Sequence, residues 1–366
     1  MPTTKNKNNK VSLSFAAIDK VWQDNIVSPT EYEVKGKDYI AWGDRNDYPQ
    51  YLFSLYETST TLQAIINQLT TYINGDDVTT TNPLFNEKVN GKDETLFDLV
   101  GQIALSLLTY QGFAVNITRN RYGKIAELNV LDFKNIRSDK KNENFYYSTE
   151  WGKKYGRINA IKYPKYNPDG TEPNSIFYYK NTTYSTYPTP LYAAATIAAE
   201  TEKLVNEYHI NSIQNGFAGG LIVGLNNGIP EDEQKAEIER NFVEKFCSPK
   251  NGGRVVLVYS NGGDNAPTLS EVKTDDFSEK YKALIENSRQ QLYQSFGVHP
   301  VLLGNVINNG TFNSEDFNES WKLFSRTKIR NYQRIIVQSL KKIGVEITIK
   351  PFTIDWQEQE KKEEVK

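Results

Sequence analysis

Apolar residues recur every three or four positions in several long stretches of this chain, which is the spacing of one face of an α-helix. The first such stretch is followed by Asn74-Gly75, a pair that ends helices because both residues readily adopt the left-handed conformation. The last two are separated by residues 298–313, where Asn, Gly and Pro indicate a loop. Six helices are predicted in this way, over residues 60–73, 95–110, 191–214, 230–246, 277–296 and 314–343.

Short apolar or alternating runs bounded by turn residues predict β-strands between these helices. Residues 113–118 and 125–131 flank a turn and therefore predict a hairpin. Further strands are predicted over residues 158–163, 176–179, 221–225, 254–259, 267–272 and 345–349. The order of elements indicates an α+β fold, with one α+β domain over residues 31–187 and a small α/β unit over residues 216–273 between two long helices.

Composition narrows the possible functions. The formal net charge is −2, so a globally basic nucleic-acid-binding protein is excluded and any DNA contact must come from a local surface. The 23 Tyr residues suit large subunit interfaces, and they suit an AT-rich genome equally well. One cysteine, Cys247, excludes disulfides within the chain. The polar N-terminus predicts no secretory signal, and no stretch is apolar enough to predict a membrane span.

The residues needed for catalysis do not form a recognisable motif. There are two histidines, His209 and His299, without metal-ligand spacing, and no nucleotide-binding P-loop sequence is present. Asp44, Asp47 and Asp132 are candidates for an acid–base pair, although such residues more often serve in turns and caps. We therefore predict that the chain is not an enzyme and has no cofactor, catalytic residue or metal site.

The last predicted helix carries the clearest charge pattern. Residues 321–344 include seven basic residues and no acidic one. Like charges four positions apart repel each other by about 0.2–0.5 kcal/mol per pair, so a negatively charged partner is expected. Carboxylates of a neighbouring subunit and nucleic-acid phosphates both fit, and a solvated basic face is the plain alternative. Five of these residues share one side of the helix and form the basic stripe: Lys322, Arg326, Arg330, Arg334 and Lys341.

The loop before this helix is uncharged between Gly304 and Thr311. Phosphate neutralisation dominates the affinity of proteins for DNA, so a loop that grips DNA would carry Lys or Arg. This loop offers amide hydrogen bonds instead, and it can touch a nucleic-acid backbone without holding it. Its candidate DNA-facing residues are Asn305, Val306, Ile307, Asn308, Asn309 and Gly310.

Five short segments resemble phrases that recur in one known family of proteins. Residues 296–304, FGVHPVLLG, are similar to the F-G-V-P-P-x-L-L-G phrase between the family's last two long helices, with His299 in place of a Pro. Residues 313–315, NSE, resemble the N-x-E that begins the final helix. Upstream, residues 190–195 and 215–217 resemble the S-P-L-x-A-A and N-G-A phrases at the two ends of the first stem helix, and residues 110–114, YQGFA, resemble Y-G-N-A-Y. By these five segments the chain resembles tailed-bacteriophage portal proteins of the siphophage or HK97-like type.

The resemblance implies a portal fold, with an α/β wing, a stem of long helices, a small α/β clip and a tunnel loop. The Ala-rich start of the first stem helix would then allow a neighbouring helix to approach closely. The implied divisions are a flexible N-terminal arm (1–30), the wing (31–187), stem helix 1 (188–215), the clip (216–273), stem helix 2 (274–297), the tunnel loop (298–313), the long wing helix with its closing strand (314–356) and a disordered tail (357–366), with the crown reduced or absent.

The function that this resemblance implies is a portal subunit, which forms a ring, usually a dodecamer, at one capsid vertex. Double-stranded DNA would pass through the ring during packaging and ejection. The implied partners are further copies of the chain, the terminase large subunit, the head–tail adaptor and the major capsid protein. The protein would be assembled in the bacterial host cytoplasm and end in the virion. The alternatives are another oligomeric scaffold of a virus or mobile element, and a nucleic-acid-processing enzyme.

Overall fold

The computed structural model of the chain falls into two units. One comprises Met1–Asn25 and Thr201–Glu286, and the other Ile26–Glu200 and Asn287–Lys366. We call them the smaller and the larger unit and describe each by itself. The structure describes residues 12–13, 27–153, 158–214, 221–225, 230–231, 233–235, 237–238, 240–241, 255–259, 268–271, 278–304 and 314–353.

The helices of the described residues follow the apolar spacing closely. The predictions for residues 60–73 and 95–110 are confirmed within one residue at each end, because Ser59 and Thr95 cap the two helices through hydrogen bonds from backbone N–H groups. One helix was missed, and it begins at Tyr48 with Pro49 in its first turn. The helices are α1 (Tyr48–Thr58), α2 (Thr60–Asn74), α3 (Leu96–Tyr110), α4 (Thr196–Gln214), α5 (Ser278–Phe296), α6 (Ser314–Phe324) and α7 (Arg330–Lys342).

The strands confirm the mixed α+β class. The predicted hairpin is present, and its first strand is the centre of a three-stranded antiparallel sheet. The strands are β1 (Ser12–Leu13), β2 (Glu31–Glu33), β3 (Ile40–Trp42), β4 (Asp77–Thr80), β5 (Gly112–Arg119), β6 (Ile125–Leu131), β7 (Ile136–Ser138), β8 (Asn144–Tyr147), β9 (Ile161–Pro164), β10 (Asn174–Lys180), β11 (Leu221–Leu225), β12 (Val255–Tyr259), β13 (Thr268–Glu271) and β14 (Ile347–Lys350).

The larger unit packs several small sheets around one hydrophobic core. Its sheets have the orders β10-β5-β6, β7-β8-β9, β2-β3 and β14-β4. The closing strand β14 pairs antiparallel with β4, so the end of the chain returns to the strand that follows α2. The core draws side chains from α1, α2, α3 and α7, and this packing fixes the position of the C-terminal helix.

The smaller unit contains a four-stranded sheet of order β1-β12-β11-β13. Strands β11 and β12 are parallel, and helical residues occur between them within the described positions 233–241, as in a compact crossover. Val223, Leu257 and Tyr259 form its buried cluster. The edge strand β1 comes from the predicted N-terminal arm and pairs antiparallel with β12.

The Ala-rich segment before α4 differs from its prediction. The helix predicted over residues 191–214 starts as a 3₁₀ turn, Ala193–Ala195, and becomes α-helical only at Thr196. Ala195, Ala198 and Ala199 are buried in the core of the larger unit. These small side chains therefore serve close packing within the chain itself.

Arg137 is the largest polar side chain buried in the larger unit. Its Nε donates to the side-chain oxygen of Asn46, and its Nη1 donates to the carbonyl oxygens of Lys134 and Ile136 at 2.9 and 2.8 Å. Its Nη2 donates to the carbonyl of Asn46 and to Oε1 of Gln50 at 2.6 and 3.1 Å. All five N–H groups therefore have acceptors, which burial requires. Burial lowers the pKa of the guanidinium to about 10.

Substituting Arg137→Met should destabilise the protein strongly, because five acceptors lose a hydrogen bond from the guanidinium at once. Only Asn46 Oδ1 and the carbonyl of Lys134 keep a second side-chain or backbone donor that the structure shows, in Trp42 N–H and Gln50 Nε2. We expect the free energy of unfolding to fall by about 3–5 kcal/mol, measured by urea denaturation. The matched control is Arg121→Met at an exposed turn, which should change it by less than about 0.5 kcal/mol. A loss below about 1 kcal/mol for Arg137→Met would show that the guanidinium does not hold this region together.

Candidate functional site

The predicted basic helix is interrupted by a single π-helical turn. Helix α6 ends at Phe324, the π-turn covers Ser325–Ile329, and α7 begins at Arg330. The prediction of one uninterrupted α-helix over residues 314–343 is therefore wrong at this point. The backbone N–H of Arg330 donates to the carbonyl of Ser325, five residues back, which defines the wider turn.

The π-turn follows from the spacing of buried side chains. Phe324 and Ile329 are both buried although they lie five positions apart, whereas the other steps of this face, of three, four or seven positions, fit the period of an α-helix. A straight α-helix would turn one of the two out of the core. The buried face comprises Phe317, Phe324, Ile329, Tyr332, Ile336, Leu340 and Ile343.

Two side-chain hydroxyls bond to the backbone at this turn. Thr327 Oγ1 donates to the carbonyl of Leu323 at 2.8 Å, and Ser325 Oγ donates to the carbonyl of Lys322 at 3.2 Å. A π-turn disturbs the regular helical pairing of carbonyls with N–H groups, and hydroxyl donors compensate for this. The side chains of Ser325 and Thr327 thus stabilise the π-turn.

The π-turn also keeps the basic stripe on one side. In an uninterrupted α-helix, residues four positions apart point in directions that differ by about 40° around the helix axis, so Lys322 and Arg334 would point about 120° apart. The additional residue of the π-turn reduces this angle by about 100°. All five members of the stripe are exposed, as the sequence pattern indicates.

The members of the stripe differ in their contacts. Arg334 Nη2 donates to Oδ1 of Asn331 at 2.8 Å, and Lys341 pairs with Glu346 at 3.0 Å. Lys322, Arg326 and Arg330 form no ion pair with any residue that the structure describes. Within the described residues, Lys341 is thus the one member of the stripe with a carboxylate partner, Arg334 bonds to an uncharged amide, and the N-terminal half of the stripe has no ion pair.

Helix α7 is fixed to the core by two polar contacts besides its apolar face. Gln333 Nε2 donates to the carbonyl of Ile73 at the end of α2, at 3.0 Å. The hydroxyl of Tyr332 accepts from Nε2 of Gln111, the left-handed residue that ends α3, at 3.1 Å. Burial raises the pKa of the Tyr332 phenol, so it stays neutral as an acceptor. These contacts hold α7, which carries Arg330, Arg334 and Lys341 of the stripe, in a fixed position on the core.

The first arm of the predicted tunnel loop is anchored in the same core. Gly297 ends α5 with a positive φ of 62°, and the 3₁₀ turn Pro300–Leu303 follows. Val301 and Leu302 are buried, and the hydroxyl of Tyr72 donates to the carbonyl of Leu302 at 2.6 Å. His299 Nδ1 accepts from the N–H of Val301 at 3.4 Å and so caps this turn. These contacts fix the position at which the loop leaves the core.

The predicted DNA-facing residues themselves, Asn305, Val306, Ile307, Asn308, Asn309 and Gly310, lie outside the described residues. The description stops at Gly304, which has a φ of 75°, and resumes with α6 at Ser314. The last turn of α6 carries Trp321, whose ring lies 4.6 Å from that of Tyr72 and 5.7 Å from that of Phe352. Tyr72 therefore contacts both the first arm of the loop, through Leu302, and the helix that follows the loop.

The carboxylates considered for catalysis have local partners. Asp44 accepts from the hydroxyl of Thr30 at 2.7 Å, Asp47 pairs with Arg45 at 3.3 Å, and Asp132 pairs with Lys134 at 2.6 Å. Such contacts belong to turns and helix starts. Within the described residues, no three His, Cys, Asp or Glu side chains group as metal ligands, and no helix has the length and apolar character of a membrane span.

Comparison with known proteins gives consistent matches. The family model described as phage portal protein matches residues 68–352. A chain of the neck of a native gene transfer agent particle, computed with C12 symmetry, is 14% identical, with 86% of this chain and 88% of that chain covered and a TM-score of 0.52. A chain of the virion of a native gene transfer agent particle is 16% identical, with 86% and 87% covered and a TM-score of 0.50.

A crystal structure of an HK97 family phage portal protein from Corynebacterium diphtheriae is 11% identical, with 82% of this chain and 94% of that chain covered and a TM-score of 0.48. The comparison with curated proteins gives no significant match. At the identities of the two particle structures, the likeness concerns the fold. The family model is the match that bears on membership, since it spans most of the chain.

We predict that removing one residue from the π-turn leaves the fold and its stability almost unchanged. Deleting Thr327 shortens the step from Phe324 to Ile329 to four positions, so every step of the buried face then fits a continuous α-helix. The free energy of unfolding should then change by less than about 1 kcal/mol in chemical denaturation. Crystallography or cryo-electron microscopy of this variant should show a regular α-helix across the deletion.

The matched control deletes Asn331, which is also exposed in the same helix. That deletion brings Lys328 to the buried position and turns Ile329 out of the core. We expect a loss of about 2–5 kcal/mol, as for removal of a buried apolar side chain. Equal losses in the two deletion variants would contradict the role that we assign to the five-residue step.

Proposed function

Because this chain belongs to the phage portal protein family, we propose that it is a portal subunit whose copies close into a ring at one capsid vertex. The observation that carries the proposal is the family match over residues 68–352. A ring needs two different surfaces on each subunit that meet head to tail and close by rotation. The matched neck particle was computed with C12 symmetry, and we propose the same order, a dodecamer, for this protein.

We further propose that double-stranded DNA passes through the axis of the ring. The formal net charge of −2 and the uncharged residues 304–311 support this role. A channel has to let a polyanion move, and tight phosphate contacts would oppose that movement. The proposed constriction is the tunnel loop, residues 298–313, whose first arm is anchored through Leu302. Asn305, Asn308 and Asn309 would line its narrowest part.

The remaining domain roles follow as proposals from the same family. Residues 31–187 with 314–356 form the wing, 188–215 with 274–297 the stem, and 216–273 the clip. The clip would bind the terminase large subunit during packaging and the head–tail adaptor afterwards, while other surfaces meet the major capsid protein. ATP hydrolysis would belong to the terminase, since this sequence lacks a P-loop. The assembled protein would reside at the portal vertex of the virion.

The proposed assembly is tested by native mass spectrometry and negative-stain imaging of the purified chain. We expect one closed oligomer of twelve subunits with a central hole. A monomer, or a compact oligomer without a hole, would overturn the portal role and favour another viral scaffold.

The neutrality of the tunnel loop is tested by adding one charge per subunit. Asn308→Lys should place a ring of cations beside the DNA and slow packaging, with the delay decreasing as salt rises. Asn308→Gln keeps the amide and should package as the wild type does. Rates are measured by DNA protected from nuclease over time.

Deleting Asn305 to Gly310 provides a second, independent variant of the loop. We expect rings to form as before, while packaging or retention of the genome is lost. Unchanged packaging and retention in this deletion variant, or equal rates for the Lys and Gln variants, would contradict the proposed constriction.

A further inference from the structure

The N-terminal half of the basic stripe contains an exposed apolar side chain. Leu323 follows Lys322 directly, and 68% of its surface is exposed. Arg326 lies in the π-turn, three residues after Leu323, and Arg330 is the first residue of α7. This spot, which we call the Leu323 patch, comprises Lys322, Leu323, Arg326 and Arg330.

The charges of the Leu323 patch are not satisfied within the described part of the chain. There, Lys341 pairs with Glu346 and Arg334 bonds to the uncharged amide of Asn331, whereas the three cations of the patch form no ion pair. Three like charges held on one helix side repel one another unless a negative partner faces them. The patch therefore has the chemistry of an interface whose second half is supplied from outside the subunit.

The exposed leucine distinguishes between the two kinds of negative partner. DNA phosphates would pair with the three cations but offer nothing apolar to Leu323. A protein surface offers both carboxylates and apolar groups, and a central apolar side chain surrounded by charge is typical of protein interfaces. The observations thus favour a protein over DNA at this position.

A second copy of the chain can supply that chemistry. The sequence holds 45 acidic residues against 43 basic ones, so the chain has enough carboxylates to pair with the cations of a neighbouring copy. Within the described residues, for example, exposed Glu87 lies three positions from Leu84, of which 55% is exposed. In a head-to-tail ring, the basic patch of one subunit meets a different surface of the next.

We propose that the Leu323 patch contacts an acidic and apolar surface of the neighbouring copy in the ring. This inference rests on the proposed portal function, and it assigns the N-terminal half of the stripe to assembly. The contact joins the outer side of α6 and the π-turn to the adjacent subunit. The DNA then meets the uncharged loop, and the stripe's cations serve the ring.

The test uses the full chain, purified without DNA, and measures the subunit concentration at which half of it is in rings. Leu323→Ala removes apolar area and leaves the charge unchanged, so a DNA contact would not register it. We expect it to raise that concentration about tenfold, as truncation of a central contact residue does. The pair Lys322→Glu with Arg326→Glu should prevent ring formation, and higher salt should weaken the wild-type ring.

The matched controls are the same two kinds of substitution, an apolar truncation and a charge reversal, made elsewhere on the surface. Ile161→Ala removes an apolar side chain that is 60% exposed, and Arg121→Glu reverses an exposed charge. Both should assemble as the wild type does. Circular dichroism and melting temperature establish that every variant is folded, which the exposure of the substituted residues leads us to expect.

The outcomes separate the alternatives. Rings that form normally in both patch variants would overturn the inference, whether or not packaging then fails. Failure of packaging alone would assign the patch to DNA. A wild-type chain that forms no ring would overturn the portal function itself, and the inference with it.

Discussion

The burial of one continuous apolar face, from Phe317 to Ile343, determines how the functional end of this molecule is arranged. Since that face packs on the core built by α2 and α3, the opposite side of the helix is left to solvent, and its cations lie there. The face holds one residue more than a straight α-helix accommodates, and the π-turn absorbs it. One packing requirement thus determines both where the charges point and where the helix departs from regularity.

The basic stripe and the loop proposed as the constriction are separate segments of the chain. The cations belong to a helix that Gln111 and the carbonyl of Ile73 hold against the core, whereas residues 304–311 are uncharged. The loop leaves the core directly after Leu302, which Tyr72 holds. In the proposed ring, the cations would act between neighbouring subunits, and the uncharged loop would face the DNA.

The spacing of apolar residues along the chain predicted the helices and strands whose own pattern is regular. Helices α2 and α3 and the central hairpin follow from it, whereas α1 was missed because clustered aromatic residues and Pro49 hide its period. The five basic positions were predicted as one side, but the π-turn beneath them was not. Its signal was the five-residue step from Phe324 to Ile329. Three of the five acceptors of Arg137 belong to Asn46 and Gln50, about ninety positions away, and no spacing rule identifies them.

The guanidinium of Arg137 has a consequence for biosynthesis. Its acceptors lie on residues 46–50 and 134–136, which leave the ribosome far apart in time. A charge of this kind is stable in the interior only when all its donors are paired, so neither segment gains from an incomplete set. The aromatic segment around Asn46 therefore cannot complete these bonds until some ninety further residues have been synthesised, and its apolar side chains stay open to aggregation until then.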